Sequence, residues 1–111
     1  MPPSTDYPVP RRGEIWYARL DKTRPVVIMH RDFAGRHLSA VLAAPLTTTI
    51  RNIPTEVRLG PEQGLDRECV ASLDNVMLLS RSRLESRIGQ LGDASMDDLC
   101  QSLLIAVNCS T

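Results

Sequence analysis

Thr23-Arg24-Pro25-Val26-Val27-Ile28-Met29-His30 is the stretch on which the reading of this chain turns. Pro25 fixes its own φ and biases Arg24 towards extended backbone. The four apolar residues Val26–Met29 follow, three of them β-branched, and predict a short strand buried on both faces. Arg24 then stands at the mouth of that strand, where the chain leaves solvent. A guanidinium fixed there can present planar donors to a phosphate or carboxylate. On the residues alone the commoner reading is an ordinary surface arginine beside a strand.

Strands are predicted on either side of this stretch. Arg12-Gly13-Glu14 opens a first strand, Ile15 to Leu20, joined to Arg24 by the tight connection Asp21-Lys22-Thr23. Phe33-Ala34-Gly35-Arg36 reads as a turn, with Gly35 free to take positive φ. His37 to Leu46 reads as a third strand, and Pro45 near its end suggests an edge or the exit from the ladder. Thr47 to Asn52 forms a polar loop ending at Pro54. Thr55 to Leu59 alternates as a half-exposed strand does, and Gly60 to Glu68 reads as a surface loop. Cys69 to Ser80 is again β-rich, interrupted at Asp74-Asn75, two residues that strands avoid. Ser82 to Glu85 has the spacing of a capping box and predicts one helical turn. Ile88 to Leu91 is a short strand or connector.

The last segment predicts an amphipathic helix, capped by Ser95 with Asp98 completing the box. Met96, Leu99, Cys100, Leu103, Leu104 and Val107 form its apolar stripe. The predicted fold class is mainly β with a C-terminal helix. A small SH3-like barrel is the compact solution, because closure removes exposed strand edges. One domain is expected over residues 11–111, after a flexible Pro-rich tail at 1–10 with little to bury.

Composition narrows the function. At 111 residues with 42% hydrophobic and 23% charged, the chain suits a single globular core. Acidic and basic residues balance, so net charge neither favours nor disfavours nucleic acid. Twelve of the thirteen basic residues are Arg, Lys22 being the exception. That skew fits bidentate anion recognition, and a GC-rich coding bias would produce it too. Three cysteines, an odd count without short metal-ligand spacing, fit a reducing compartment. No metal and no cofactor are expected. No apolar run is long enough for a bilayer, and the first residues lack a signal peptide's basic and apolar regions. A cytoplasmic location with no membrane partner is therefore expected.

There is no Gly-rich phosphate loop and no Gly-x-Ser-x-Gly elbow. His30 and His37 could form a two-histidine ribonuclease pair, or either could serve Cys69. A structural His30 and a buried Cys69 account for the same residues. What remains is a set of polar residues at strand ends: Arg24, Thr47, Thr48, Asp74 and Asn75. Antiparallel pairing would gather these into a cluster of one guanidinium, hydroxyls and a carboxylate, suited to charge on a phosphate.

Several motifs occur in order: Arg12-Gly13-Glu14-Ile15-Trp16, Arg24-Pro25-Val26-Val27-Ile28 and Ala44-Pro45-Leu46-Thr47-Thr48-Thr49-Ile50. Pro54-Thr55-Glu56-Val57, Gly64-Leu65-Asp66-Arg67-Glu68-Cys69-Val70, Ser82-Arg83-Leu84 and Ile88-Gly89-Gln90-Leu91 follow. From about Arg11 to Val107 this resembles the MazF/PemK family of toxin–antitoxin endoribonucleases. The resemblance implies a barrel of the CcdB/PemK type, working as a homodimer with a cognate MazE-like antitoxin. It implies metal-independent cleavage of single-stranded RNA at a short sequence, leaving a 2′,3′-cyclic phosphate and a 5′-hydroxyl. Messenger RNA is the expected substrate, with transfer and ribosomal RNA as further candidates.

The family's catalytic Arg falls on Arg24 and its Thr on Thr47, with Thr48 as the neighbouring alternative. Asp74 is the carboxylate candidate for further catalytic or substrate contact, and Lys22, Arg51, Ser72 and Asn75 are expected to meet RNA. Two departures stand out. The family often carries a longer loop between the first two strands, where this chain has only Asp21-Lys22-Thr23. Some members place a second Arg two residues before the Asp, where this chain has Ser72. A gyrase poison of the same fold is an alternative, but its Trp-Gly-Ile ending is not matched by Asn108-Cys109-Ser110-Thr111. A non-catalytic binding barrel is another alternative.

Overall fold

The computed structural model describes residues 7–32 and 38–109. The expected turn at Phe33–Arg36 and the residue His37 lie outside them. The elements in order are β1 (Glu14–Arg19), β2 (Thr23–Ile28), β3 (Ala40–Thr47), β4 (Glu56–Leu59), β5 (Cys69–Ser72), β6 (Met77–Ser80), β7 (Leu84–Gln90) and α1 (Asp93–Ala106). Short 3-10 turns lie at Pro61–Gln63, Leu73–Asn75 and Arg81–Arg83. All pairings are antiparallel, in the order β4-β5-β3-β2-β1-β7, with β6 also on β3. The chain is thus mostly antiparallel sheet with one C-terminal helix. Among the described residues no helix is long and apolar enough to cross a membrane.

The two-faced reading of Val26–Met29 explains the core. Val26 and Ile28 pack with Ala18, Val41, Ala43, Leu79 and Leu84 on one side of the sheet. Val27 and Met29 pack with Ile15, Ala44, Leu46, Leu73, Met96 and Leu99 on the other, beneath α1. Side chains of consecutive strand residues point to opposite faces, so one strand serves both clusters. Each fully buried Val or Ile contributes about 1.5–3 kcal/mol.

β3 changes partner along its length. Residues Ala40–Ala43 pair with β6, and Leu46 and Thr47 pair with β5. Pro45 sits at this change, so no partner on that edge loses a donor. It marks a fork in the sheet, with β2 still paired along the opposite edge, rather than an edge strand or an exit. β2 starts earlier than its apolar run, because Arg24 pairs with Ala18 and Thr23 with Arg19. Pairing with β3 begins only at Val26. Residues 23–25 are therefore held by β1 alone, and their other edge is open.

The sequence-predicted boundaries shift elsewhere. Ser82–Glu85 is not a capped helical turn: a 3-10 turn covers Arg81–Arg83 without a side-chain cap, and Glu85 already lies on β7. That strand runs on to Gln90, paired along β1, so the expected short strand or connector at Ile88–Leu91 is strand as far as Gln90. The helix begins at Asp93 behind Gly92, so Ser95 and Asp98 lie inside it rather than forming its cap. Asp93 in the first turn suits the helix dipole. At the other end Asn108 takes φ 54°, and the Cys109 N–H donates to the Leu104 carbonyl (2.9 Å). Val107, expected in the buried stripe, is exposed.

Residues 1–6 lie outside the description, but Tyr7–Pro10 are fastened to the domain. Arg81, only 2% exposed, donates through Nε to the Pro8 carbonyl (2.7 Å) and through Nη2 to that of Tyr7 (2.8 Å). Its Nη1 donates to the Leu38 carbonyl (3.2 Å). Gly89 shows a second long-range constraint: a Cβ there would stand 2.5 Å from the Gln63 carbonyl. That close approach seats the Gly60–Glu68 loop against β7.

Candidate functional site

The open edge of β2 and the last residue of β3 frame two adjoining clefts. The first, about 220 Å³, is lined by Tyr17, Lys22, Arg24, Thr47, Thr48, Asp66, Arg67 and Cys69 over an apolar floor of Pro25, Leu46 and Leu65. The second, about 340 Å³, is lined by Arg24, Thr47, Thr49, Arg51, Glu56, Ser72 and Asn75, with Leu20, Asp21, Pro45, Leu46 and Met77. Arg24, Leu46 and Thr47 belong to both. Arg24 and Thr47 thus stand on the ridge between two recesses.

Each ridge residue is locally organised. Arg24 Nε donates to Asp21 Oδ1 (3.0 Å) and Nη2 to Asp21 Oδ2 (3.1 Å). This fork holds the Asp21 carboxyl down at about 2, chiefly through the Arg24 hydrogen bonds. The same bonds push the Arg24 pKa up. Thr47 Oγ1 accepts the Thr49 N–H (3.1 Å) as the chain turns away from β3. One acceptor site of the hydroxyl is therefore used, and its hydrogen is left to donate outward.

The clefts differ in charge. The first gathers Lys22, Arg24 and Arg67 against Asp66. The second sets Arg24 and Arg51 against Asp21 and Glu56, and Glu56 Oε1 also accepts the Arg51 N–H (2.9 Å). An anion is favoured on the first side and roughly neutral on the second.

Of the sequence candidates, Arg24, Thr47, Thr48 and Lys22 share the first cleft, and Arg51, Ser72 and Asn75 join Arg24 and Thr47 in the second. Asn75 Nδ2 donates to Ser72 Oγ (2.8 Å), which fixes that pair together. Asp74 lines neither cleft. Its Oδ2 accepts from Thr55 Oγ1 (2.6 Å), beside the Leu73 N–H bond to the Thr55 carbonyl (2.9 Å). It therefore ties the 3-10 turn to the start of β4. His30 is structural, its Nδ1 accepting the Leu42 N–H (2.6 Å). Cys69 is buried, and burial pushes its thiol pKa up, away from nucleophilic use.

Tyr17, Asp66 and Arg67 in the first cleft, and Thr49 and Glu56 in the second, went unread in the sequence. Asp66 and Arg67 sit in a loop whose polar composition gives no hint that they line a cleft with Arg24. The Asp21-x-x-Arg24 spacing was the available signal for the fork.

Residues 11–107 match the family described as PemK-like, MazF-like toxin of type II toxin–antitoxin systems. The chain belongs to that family. It is 40% identical over 105 residues to a Mycobacterium tuberculosis protein named probable endoribonuclease MazF5, covering 92% of this chain and 96% of the relative. Among solved structures, the Mycobacterium tuberculosis toxin MazF-mt6 superposes with a TM-score of 0.85 at 35% identity, covering 88% of this chain and 99% of that one. A mycobacterial endoribonuclease in complex with its cognate antitoxin gives 0.84 at 31% identity, covering 92% and 98%. The clefts thus belong to a PemK/MazF-like toxin, and the departures noted in the sequence are departures within that family.

Proposed function

We propose that this toxin is a metal-independent endoribonuclease that cuts single-stranded RNA, messenger RNA first, by attack of a ribose 2′-oxygen on the adjacent phosphorus. The observation that carries this reading is the ridge of Arg24 and Thr47 between two recesses. A strand crossing it would set one phosphate at the ridge and place a nucleotide on either side. The attack forms the 2′-oxygen–phosphorus bond and breaks the bond to the 5′-oxygen; the 2′-hydroxyl gives its proton to water and the departing 5′-oxygen takes one from water, leaving a 2′,3′-cyclic phosphate and a 5′-hydroxyl.

Arg24 supplies fixed donors for the charge that grows on the phosphate oxygens, and the Thr47 hydroxyl adds another. The Asp21 fork makes the guanidinium a poorer proton donor. Its role is therefore electrostatic rather than that of an acid at the leaving oxygen. Lys22 and Thr48 contact the strand on one side, and Arg51, Ser72 and Asn75 on the other.

The relative solved with its cognate antitoxin supports a MazE-like partner, whose acidic residues would compete with RNA for Arg24. A homodimer fits the exposed apolar side chains Tyr7, Val9, Leu38 and Leu78, which a second copy would cover. The free thiols of Cys69, Cys100 and Cys109 fit the cytoplasm.

The test is to incubate a long RNA with the protein in EDTA and map the new ends. Discrete cuts bearing 5′-hydroxyls are expected, and a 2′-deoxy nucleotide before the cut should abolish cleavage there. Cutting that persists at the 2′-deoxy position would overturn the mechanism.

A further inference from the structure

The turn before Arg24 is short, and it holds the arginine. Leu20 N–H donates to the Lys22 carbonyl (3.0 Å), which closes the turn and presents Asp21 beside Arg24. The two carboxylate oxygens take Nε and Nη2. Among the described residues Nη1 has no partner. The Asp21 side chain is 69% exposed and that of Arg24 33%, so the pair adds little to the core. Its consequence is orientation: an arginine side chain is rotamer-rich, and a two-point fork removes that freedom.

The fork could instead be a plug, a carboxylate occupying the phosphate's place. The clefts decide between these. Asp21 lines only the second. The first, where Lys22 and Arg67 add positive charge, is free of it. A phosphate arriving by the cationic side need not displace Asp21.

We propose that Asp21 is a positioning residue for cleavage, holding Nε and Nη2 of Arg24 so that Nη1 is the donor offered to the scissile phosphate. This rests on the endoribonuclease reading above. The short turn thereby orders the arginine by a side-chain contact. The carboxyl sits at about 2 against an ordinary 3.8. The fork is therefore complete above the ordinary value and is lost only as pH falls through about 2. It does not titrate in the range where cleavage is assayed.

The test uses single-turnover cleavage of a short RNA carrying a mapped site, together with binding of its 2′-deoxy analogue. Asp21→Ala should lower the cleavage rate about 10-fold to 100-fold, with KM and analogue affinity within about twofold. Asp21→Glu should restore part of the rate, because the longer carboxylate can still reach the guanidinium. In an Arg24→Ala background Asp21→Ala should cost nothing further. An Asp21→Ala protein as fast as wild type, or faster, overturns the proposal, as does a loss confined to KM. The two readings fail separately. Arg24→Ala cleaving as wild type sinks both. Arg24→Ala inactive with Asp21→Ala fully active sinks only the positioning role.

Discussion

Arg24 and Arg81 both stand at strand ends of one sheet, and the fold treats them in opposite ways. Arg81 is 2% exposed and donates to the backbone carbonyls of Tyr7, Pro8 and Leu38. Arg24 is half-buried, and its partner among the described residues is the exposed carboxylate of Asp21. The buried Arg81 guanidinium has no water to turn to, so it cannot leave those carbonyls without stranding its own donors. Arg24 keeps a free edge on a recess large enough for part of a nucleotide. The lesson is that a guanidinium becomes structural or functional according to what remains unbound once the chain has folded.

The two arginines should fail differently. Arg24→Ala should lower RNA cleavage by about 10²–10³-fold, the range for removing a donor aimed at developing charge. Its melting temperature should stay within about 2 °C of wild type. Arg81→Ala should instead destabilise the fold by about 1–3 kcal/mol, read by urea denaturation, while the folded fraction cleaves normally. Thr47→Val, which removes the hydroxyl and keeps the β-branched shape, should lower the cleavage rate about 10-fold without moving stability. Asp74→Asn should change cleavage by less than about twofold, because its carboxylate serves Thr55 and not the clefts. Wild type and Asp21→Asn should share the shape of their pH–rate profiles from about pH 5 to about pH 9, since Asp21 is ionised throughout.

The parts of this contrast that could be read from the sequence are local ones. Val26–Met29 announced a strand buried on both faces because its composition has no polar face to show, and the two clusters around β2 agree. Position at strand ends placed Arg24 and Thr47 in a set with Thr48, Asp74 and Asn75, and the family resemblance singled out the two. Non-local geometry was hidden. Nothing near Arg81 tells that its acceptors are Tyr7 and Pro8, more than seventy residues earlier. Arg81, rather than their own composition, is what fastens Tyr7 and Pro8. Pro45 signalled an interruption correctly, but only the pairing of β3 with β6 and then β5 shows it to be a fork. Asp74 and Asn75 are adjacent in sequence, yet the 3-10 turn sends one to Thr55 and the other to Ser72. The helix start moved because Gly92 supplies the cap position and Asp93 the first-turn charge, which left Ser95 and Asp98 unused as a box.

The central claim is that Arg24 acts on the substrate and not on the fold. One paired measurement on a single preparation of Arg24→Ala tests it: the melting temperature, and the rate at which 5′-hydroxyl ends appear from a mapped RNA in EDTA. The predicted result is a wild-type melting curve with cleavage lowered at least about 100-fold. A well-folded Arg24→Ala that cuts the same site at the wild-type rate would contradict it.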